Sequence, residues 1–333
     1  NKSLKVSEEI KDDEGISFTY NSLGELNLKN GNWDEAEENL DKASKENDLI
    51  TPILNAYILK KRGELLTLKK RYNDAIKILE KANKIVEDLN AKPHQISILE
   101  KIGDTYLASF KENKENNSLI EAEYFYQLAL DSATELGMPL LVATSKRGLA
   151  IVESKKLNIN NSESKFLESI TILKNIGAFF ELQLTLFEYA TMLFENNEYV
   201  KAEIVARLVS FDAQENKNYE LLMKTYLLLG DISMIQNNQF ESYLKSLKTA
   251  EFNPKIYVRC CYYLIFRMRR MSPDILRKFV SKLKIQNKEK YFGIFLDALY
   301  EIDMGNDCSG FLMQLPECLA KELNNFGNVG NDL

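Results

Sequence analysis

The chain has 333 residues, 45% of them apolar, with 14 Gly, 6 Pro and a net charge of −6. That apolar content excludes a disordered chain, and so few turn formers exclude an all-β protein with many hairpins. No apolar run reaches 18 residues; the nearest, Ile256 to Met268, is broken by Arg259 and Arg267, which excludes a membrane-spanning helix and predicts a buried one.

Long stretches rich in Leu, Glu, Lys and Ala predict helices, and one pattern recurs inside them. The first unit has Leu23-Gly24, then Trp33 followed three residues on by Ala36, then Ala43. The second has Arg62-Gly63, Tyr72 with Ala75, and Ala82. The third has Ile102-Gly103, a polar insertion from Lys111 to Ser118 read as a loop, Ala122 and Ala129. The fourth has Arg147-Gly148, with Ser162, Phe166 and Ser169 standing for Ala, an aromatic and Ala. The fifth has Tyr189-Ala190, Tyr199 with Ala202, and Val209; the sixth has Leu229-Gly230, Phe240 with Tyr243, and Ala250. The leading small residues are 39, 40, 45, 42 and 40 apart. Small residues recur where helices must approach closely, because a larger side chain there separates the backbones and opens voids. Beyond Ala250 the pattern fades. Ser272-Pro273 then reads as a helix start, Ile275, Leu276, Phe279, Val280 and Leu283 as one apolar face, and Tyr291 to Met304 as a helix closed by Gly305.

These units together resemble the tetratricopeptide repeat in its long form, with units near 40 residues, as in kinesin light chains, LGN-type adaptors and the sensor arrays of bacterial regulators. The resemblance implies an all-α solenoid, a right-handed superhelix of helix-turn-helix hairpins with a C-terminal helical cap. It divides the chain into the last helix of a truncated upstream repeat (1–16), six repeats (17–254), capping helices (255–326) and a disordered tail (327–333). It implies recognition of a protein or peptide, as a scaffold or as the sensory-regulatory part of a larger protein, with no catalysis. The alternative is the ligand-sensing arm of a transcription or signalling regulator that takes a small molecule or short peptide. In such a fold the first helix of each repeat lines a concave groove, which places Asn21, Glu25, Lys60, Glu64, Glu100, Asp104, Phe187 and Asp231 there. The acidic series predicts a preference for cationic ligands.

The remaining chemistry is sparse. Four cysteines without metal-ligand spacing read as reduced thiols, which points to the cytoplasm, and neither a metal site nor a cofactor is expected. The single histidine, His94, falls in a polar stretch read as a surface loop, too isolated to build a catalytic triad. No phosphate-cradling GxxxxGK[ST] or GxGxxG element occurs. Phe179, Phe180, Phe187 and Phe194 read as core, with a ligand cradle as the alternative. Residues 255–290 carry a local charge of +9, leaving −15 on the remainder. Within that segment Arg259, Arg267, Arg269, Arg270, Arg277 and Lys278 form a candidate basic patch for an acidic partner or weak self-association. Nucleic acid is disfavoured by the acidic whole.

Overall fold

The structure, a computed structural model, describes residues 2–29, 32–44, 51–237 and 241–250, together with 257, 260, 310, 313 and 314. Among the described residues there are thirteen helices and no strand. They are α1 (Lys2–Glu9), α2 (Asp13–Lys29), α3 (Trp33–Ser44), α4 (Pro52–Leu68), α5 (Tyr72–Asp88), α6 (Lys92–Asn113), α7 (Asn116–Glu135), α8 (Pro139–Lys155), α9 (Ile159–Asn175), α10 (Phe179–Glu195), α11 (Tyr199–Glu215), α12 (Tyr219–Asn237) and α13 (Glu241–Ala250). Apart from those five single residues, the expected capping helices lie outside the described residues, as do the tail and the whole basic patch.

Helix starts follow local chemistry. Pro52, Pro93 and Pro139 occupy the first turns of α4, α6 and α8, where a missing amide costs nothing and φ is already helical. Thr51 caps α4, its hydroxyl accepting from the Leu54 amide at 3.4 Å. Helix ends share one device. Between α4 and α5, α8 and α9, or α10 and α11, three residues connect the helices and the middle one is left-handed, at Lys70, Leu157 and Asn197. The third amide returns to a carbonyl five residues back, as from Arg71 to Leu66 at 2.9 Å and from Asn158 to Glu153 at 2.9 Å. Connections between hairpins use the same turn, with Asn90, Gly137, Gly177 and Lys217 at its centre.

The insertion in the third repeat is not a loop. Helix α6 extends over 22 residues and α7 over 20, and only Lys114 and Glu115 separate them. The extra residues continue the helical ladder because Leu107 and Leu119 are buried there, with Phe110 packed against them.

The chain divides into two compact units, residues 1–185 and 186–333. In the first unit α2 packs on α3, α4 on α5, α6 on α7 and α8 on α9, while α2 touches α4, α4 touches α6 and α6 touches α8. In the second, α11 packs on α12 and α12 on α13. The repeated glycines lie where a second-helix side chain crosses the first helix. A Cβ on Gly24 would meet Leu40 at 2.8 Å, on Gly63 would meet Leu79 at 2.5 Å, and on Gly230 would meet Tyr243 at 2.2 Å. Tyr243 is therefore the counterpart of Leu40 and Leu79. The buried small residue three positions later is Ser246, where Ala43 and Ala82 stand in the first two repeats. Tyr243 thus takes the place of the large residue and not of the small one expected there, and Phe240, its expected partner, lies outside the described residues. The turn aromatics fare better: Trp33, Tyr72 and Tyr199 each open a second helix.

Candidate functional site

The first helices of the first unit bring a line of polar side chains together across their contacts. At the α2–α4 step, the Lys61 ammonium lies 3.3 Å from Glu25 and 3.1 Å from Glu64. At the α4–α6 step, the Tyr57 hydroxyl is 2.9 Å from His94 Nδ1, Lys60 donates to Ser97 Oγ at 3.0 Å, and the Thr67 and Thr105 hydroxyls are 2.8 Å apart. At the α6–α8 step, Glu100 accepts from the Thr144 hydroxyl at 2.6 Å and the Ser145 hydroxyl at 2.7 Å. Arg147 on α8 then reaches Glu181 on α10 at 2.6 Å. Within α6, Asp104 takes Lys101 at 2.7 Å and the Tyr126 hydroxyl of α7 at 2.5 Å.

The electrostatics follow from these partners. Burial pushes the Glu100 carboxyl above the ordinary glutamate range, the two hydroxyl donors offset only part of it, and the neighbouring Asp104 charge adds to the rise. Burial also acts on Asp104, but the Lys101 ammonium, the Tyr126 hydroxyl and Arg147 outweigh it and hold its pKa down. Asp104 in turn raises Lys101. Burial lowers the Lys60 pKa; only 9% of that residue is exposed, and its ammonium sits 5.0 Å over the Tyr57 ring. Water reaches 37% of the Lys101 side chain and 45% of Asp104, so that pair is screened and works mainly to position.

Of the residues selected from sequence, Glu25, Lys60, Glu64, Glu100 and Asp104 join this line through the contacts above. Asn21 is buried on α2, and its Oδ1 has no hydrogen-bond partner among the described residues. Phe187 and Asp231 belong to the second unit. Phe187 is half-buried, while Asp231 is 9% exposed and takes the Tyr243 hydroxyl at 2.6 Å. The premise of a cationic preference does not hold: Lys61, Lys101 and Arg147 face the acids of the first unit. The motif was legible, because Lys61-Arg62-Gly63-Glu64 and Lys101-Ile102-Gly103-Asp104 place a lysine three residues before each acid. Two further readings change. His94 stands in the first turn of α6 with Tyr57 against it, not in a loop. Phe179 and Phe180, which open α10, are 71% and 66% exposed and so do not belong to the core. Among the described residues, no group of three or more His, Cys, Asp or Glu could hold a metal ion, and no helix is long and apolar enough to cross a membrane.

No family model and no curated protein matches the chain. Solved structures do. A Rap protein complexed with competence and sporulation factor superposes with a TM-score of 0.58 at 13% identity, covering 98% of each chain. NprR in complex with its cognate peptide NprX gives 0.56 at 15% identity, over 89% of this chain and 86% of that one. The signal-transduction ATPase PH0952 from Pyrococcus horikoshii, which carries a tetratricopeptide repeat sensor, gives 0.53 at 15% identity over 99% of this chain and 43% of that one. At these identities the likeness is one of fold. On its repeats, its glycine crossings and these superpositions, the chain is a helical-repeat solenoid of the tetratricopeptide type.

Proposed function

We propose that this chain is a non-catalytic recognition domain that holds a peptide or protein segment along the first-helix face of its first unit. The observation that carries the reading is the row of alternating charge Glu25, Lys61, Glu64, Lys101, Asp104, Arg147 and Glu181, held by ion pairs from α2 to α4 and from α8 to α10 and within α4 and α6, while polar hydrogen bonds join α4 to α6 and α6 to α8. A preorganised line of donors and acceptors on rigid helices suits an extended chain, because its groups need no reordering on binding. Two proteins of similar fold are seen with a bound peptide or signalling factor, NprR and the Rap protein, which supports a short peptide as occupant. The sensory arm of a larger regulator is the second reading, favoured by the sensor repeats of PH0952. A cytoplasmic setting fits either role. The basic patch around Arg267 and Arg270 remains a sequence-level candidate for an acidic partner.

Fluorescence anisotropy with a peptide library tests the proposal on the full chain. Peptides carrying both signs of charge should bind best, and Lys101→Met together with Arg147→Met should weaken them at least about tenfold. Unchanged affinity in that folded double variant would remove this face from the reading.

A further inference from the structure

Helix α11 is apolar on two opposite faces. One face, with Ala202, Ala206, Val209 and Ala213, is fully buried. On the other, Val200, Ile204, Leu208 and Phe211 are 68%, 65%, 48% and 65% exposed. At 3.6 residues per turn these four lie within about 40° of one line. Packing of the repeats does not require them. With Tyr199 aligned on Tyr72, the same four positions of α5 hold Asn73, Lys77, Lys81 and Lys84, where polar side chains face water. An uninterrupted apolar stripe on an outward helix face, where an equivalent helix carries lysine, marks an interaction surface.

We propose that this stripe pairs antiparallel with the α11 stripe of a second copy of the chain, forming a two-fold dimer. The stripe is complementary to itself. An antiparallel two-fold near Ala206 sets Ile204 against Leu208 and the small Val200 against the large Phe211, in both directions. The same axis sets Lys201, whose ammonium also holds Glu198 at 2.7 Å in its own chain, opposite Asp212 on one flank of the stripe, so each lysine joins two carboxylates and two cross-pairs form at once. On the other flank Glu203 and Arg207 already pair within the helix, at 2.6 Å, and bring no uncompensated charge to the contact. The exposed apolar side chains amount to about 400 Å² per copy, so with the polar rim a pair approaches the roughly 1,200 Å² at which specific interfaces begin. The dimer is therefore reversible, and its apolar centre keeps it intact at high salt.

Sedimentation velocity of the full chain over a concentration series tests this. The expected result is a monomer–dimer equilibrium at both low and high salt. Ile204→Lys with Leu208→Lys, which installs what α5 already carries at Lys77 and Lys81, should raise the dissociation constant at least about a hundredfold. Lys201→Asp alone should weaken the dimer, and adding Asp212→Lys should restore it, because the swap re-forms both cross-pairs. A chain that stays monomeric at every concentration overturns the proposal, as does a dimer indifferent to the lysine variant. A dimer lost with the lysines but not restored by the swap overturns the antiparallel register.

Discussion

Tyr126 packs its ring against two glycines, Gly103 and Gly148, and its hydroxyl is tied to Asp104. A ring held at its far end cannot swing away from a new methyl. A Cβ on Gly148 would come within 2.3 Å of the ring, against 3.0 Å for one on Gly103. Gly148→Ala should therefore destabilise by about 1–3 kcal/mol despite the helix-propensity gain of alanine, while Gly103→Ala should stay within about 1 kcal/mol of the parent. Urea unfolding of the two variants separates them. Glu100 makes a second case. Its pKa is raised by folding, so between the ordinary glutamate pKa and the raised one the native state holds more protons than the unfolded state. Stability from this group is present below that window and lost as pH rises through it. Glu100→Gln keeps an acceptor for Thr144 and Ser145 without the charge. The variant should be the more stable above the window, the difference shrinking towards zero as pH falls below it; parallel denaturation series across pH check this.

At the scale of elements, the turns show how weakly composition constrains this fold. Every connection of the three-residue type needs a left-handed residue, yet only Gly137 and Gly177 among those described are glycine. Leu157 takes φ 64° while 80% exposed, so it meets the steric penalty without gaining burial. Leu157→Gly should raise stability by about 0.5–1 kcal/mol, and a melting temperature no higher than the parent's would refute the account of this turn. Helix α9 shows the opposite economy. Two of its serines sit where other repeats have alanine, and both are fully buried, Ser162 donating to the Ala150 carbonyl at 2.8 Å and Ser169 to that of Ala143 at 2.7 Å. A hydroxyl that lies against the backbone of α8 is tolerated as a small residue because its hydrogen bond is satisfied. The fourth repeat thus departs from the pattern in residue type but not in size.

At the scale of the molecule, each hairpin of the first unit is held by its neighbours. Leu79 is fully buried in a cluster with Leu59, Val86 and Ile102, whose buried members lie on α4, α5 and α6, with Phe125 of α7 packed against its edge. Leu79→Ala should cost about 2–5 kcal/mol locally, and hydrogen exchange should lose protection in α4–α6 well before α8 and α9. Equal loss along the whole unit would mean that it unfolds as one body. The sequence alone determined the helical class and the spacing of the repeats, because close helix approach leaves a mark in residue size at every turn of the array. It also carried five of the side chains that the structure gathers on the first-helix face: Glu25, Lys60, Glu64, Glu100 and Asp104. Only tertiary structure decided the rest. The register of Tyr243 depends on which ring fills the space left by Gly230, and the insertion became helix because Leu107 and Leu119 found partners. The charge line exists because Lys61 and Arg147 reach carboxylates on the next helix, 36 and 34 residues away in the chain. A repeat pattern records what each hairpin must pack, whereas a pairing across hairpins depends on side-chain reach between helices, and no single repeat contains that information.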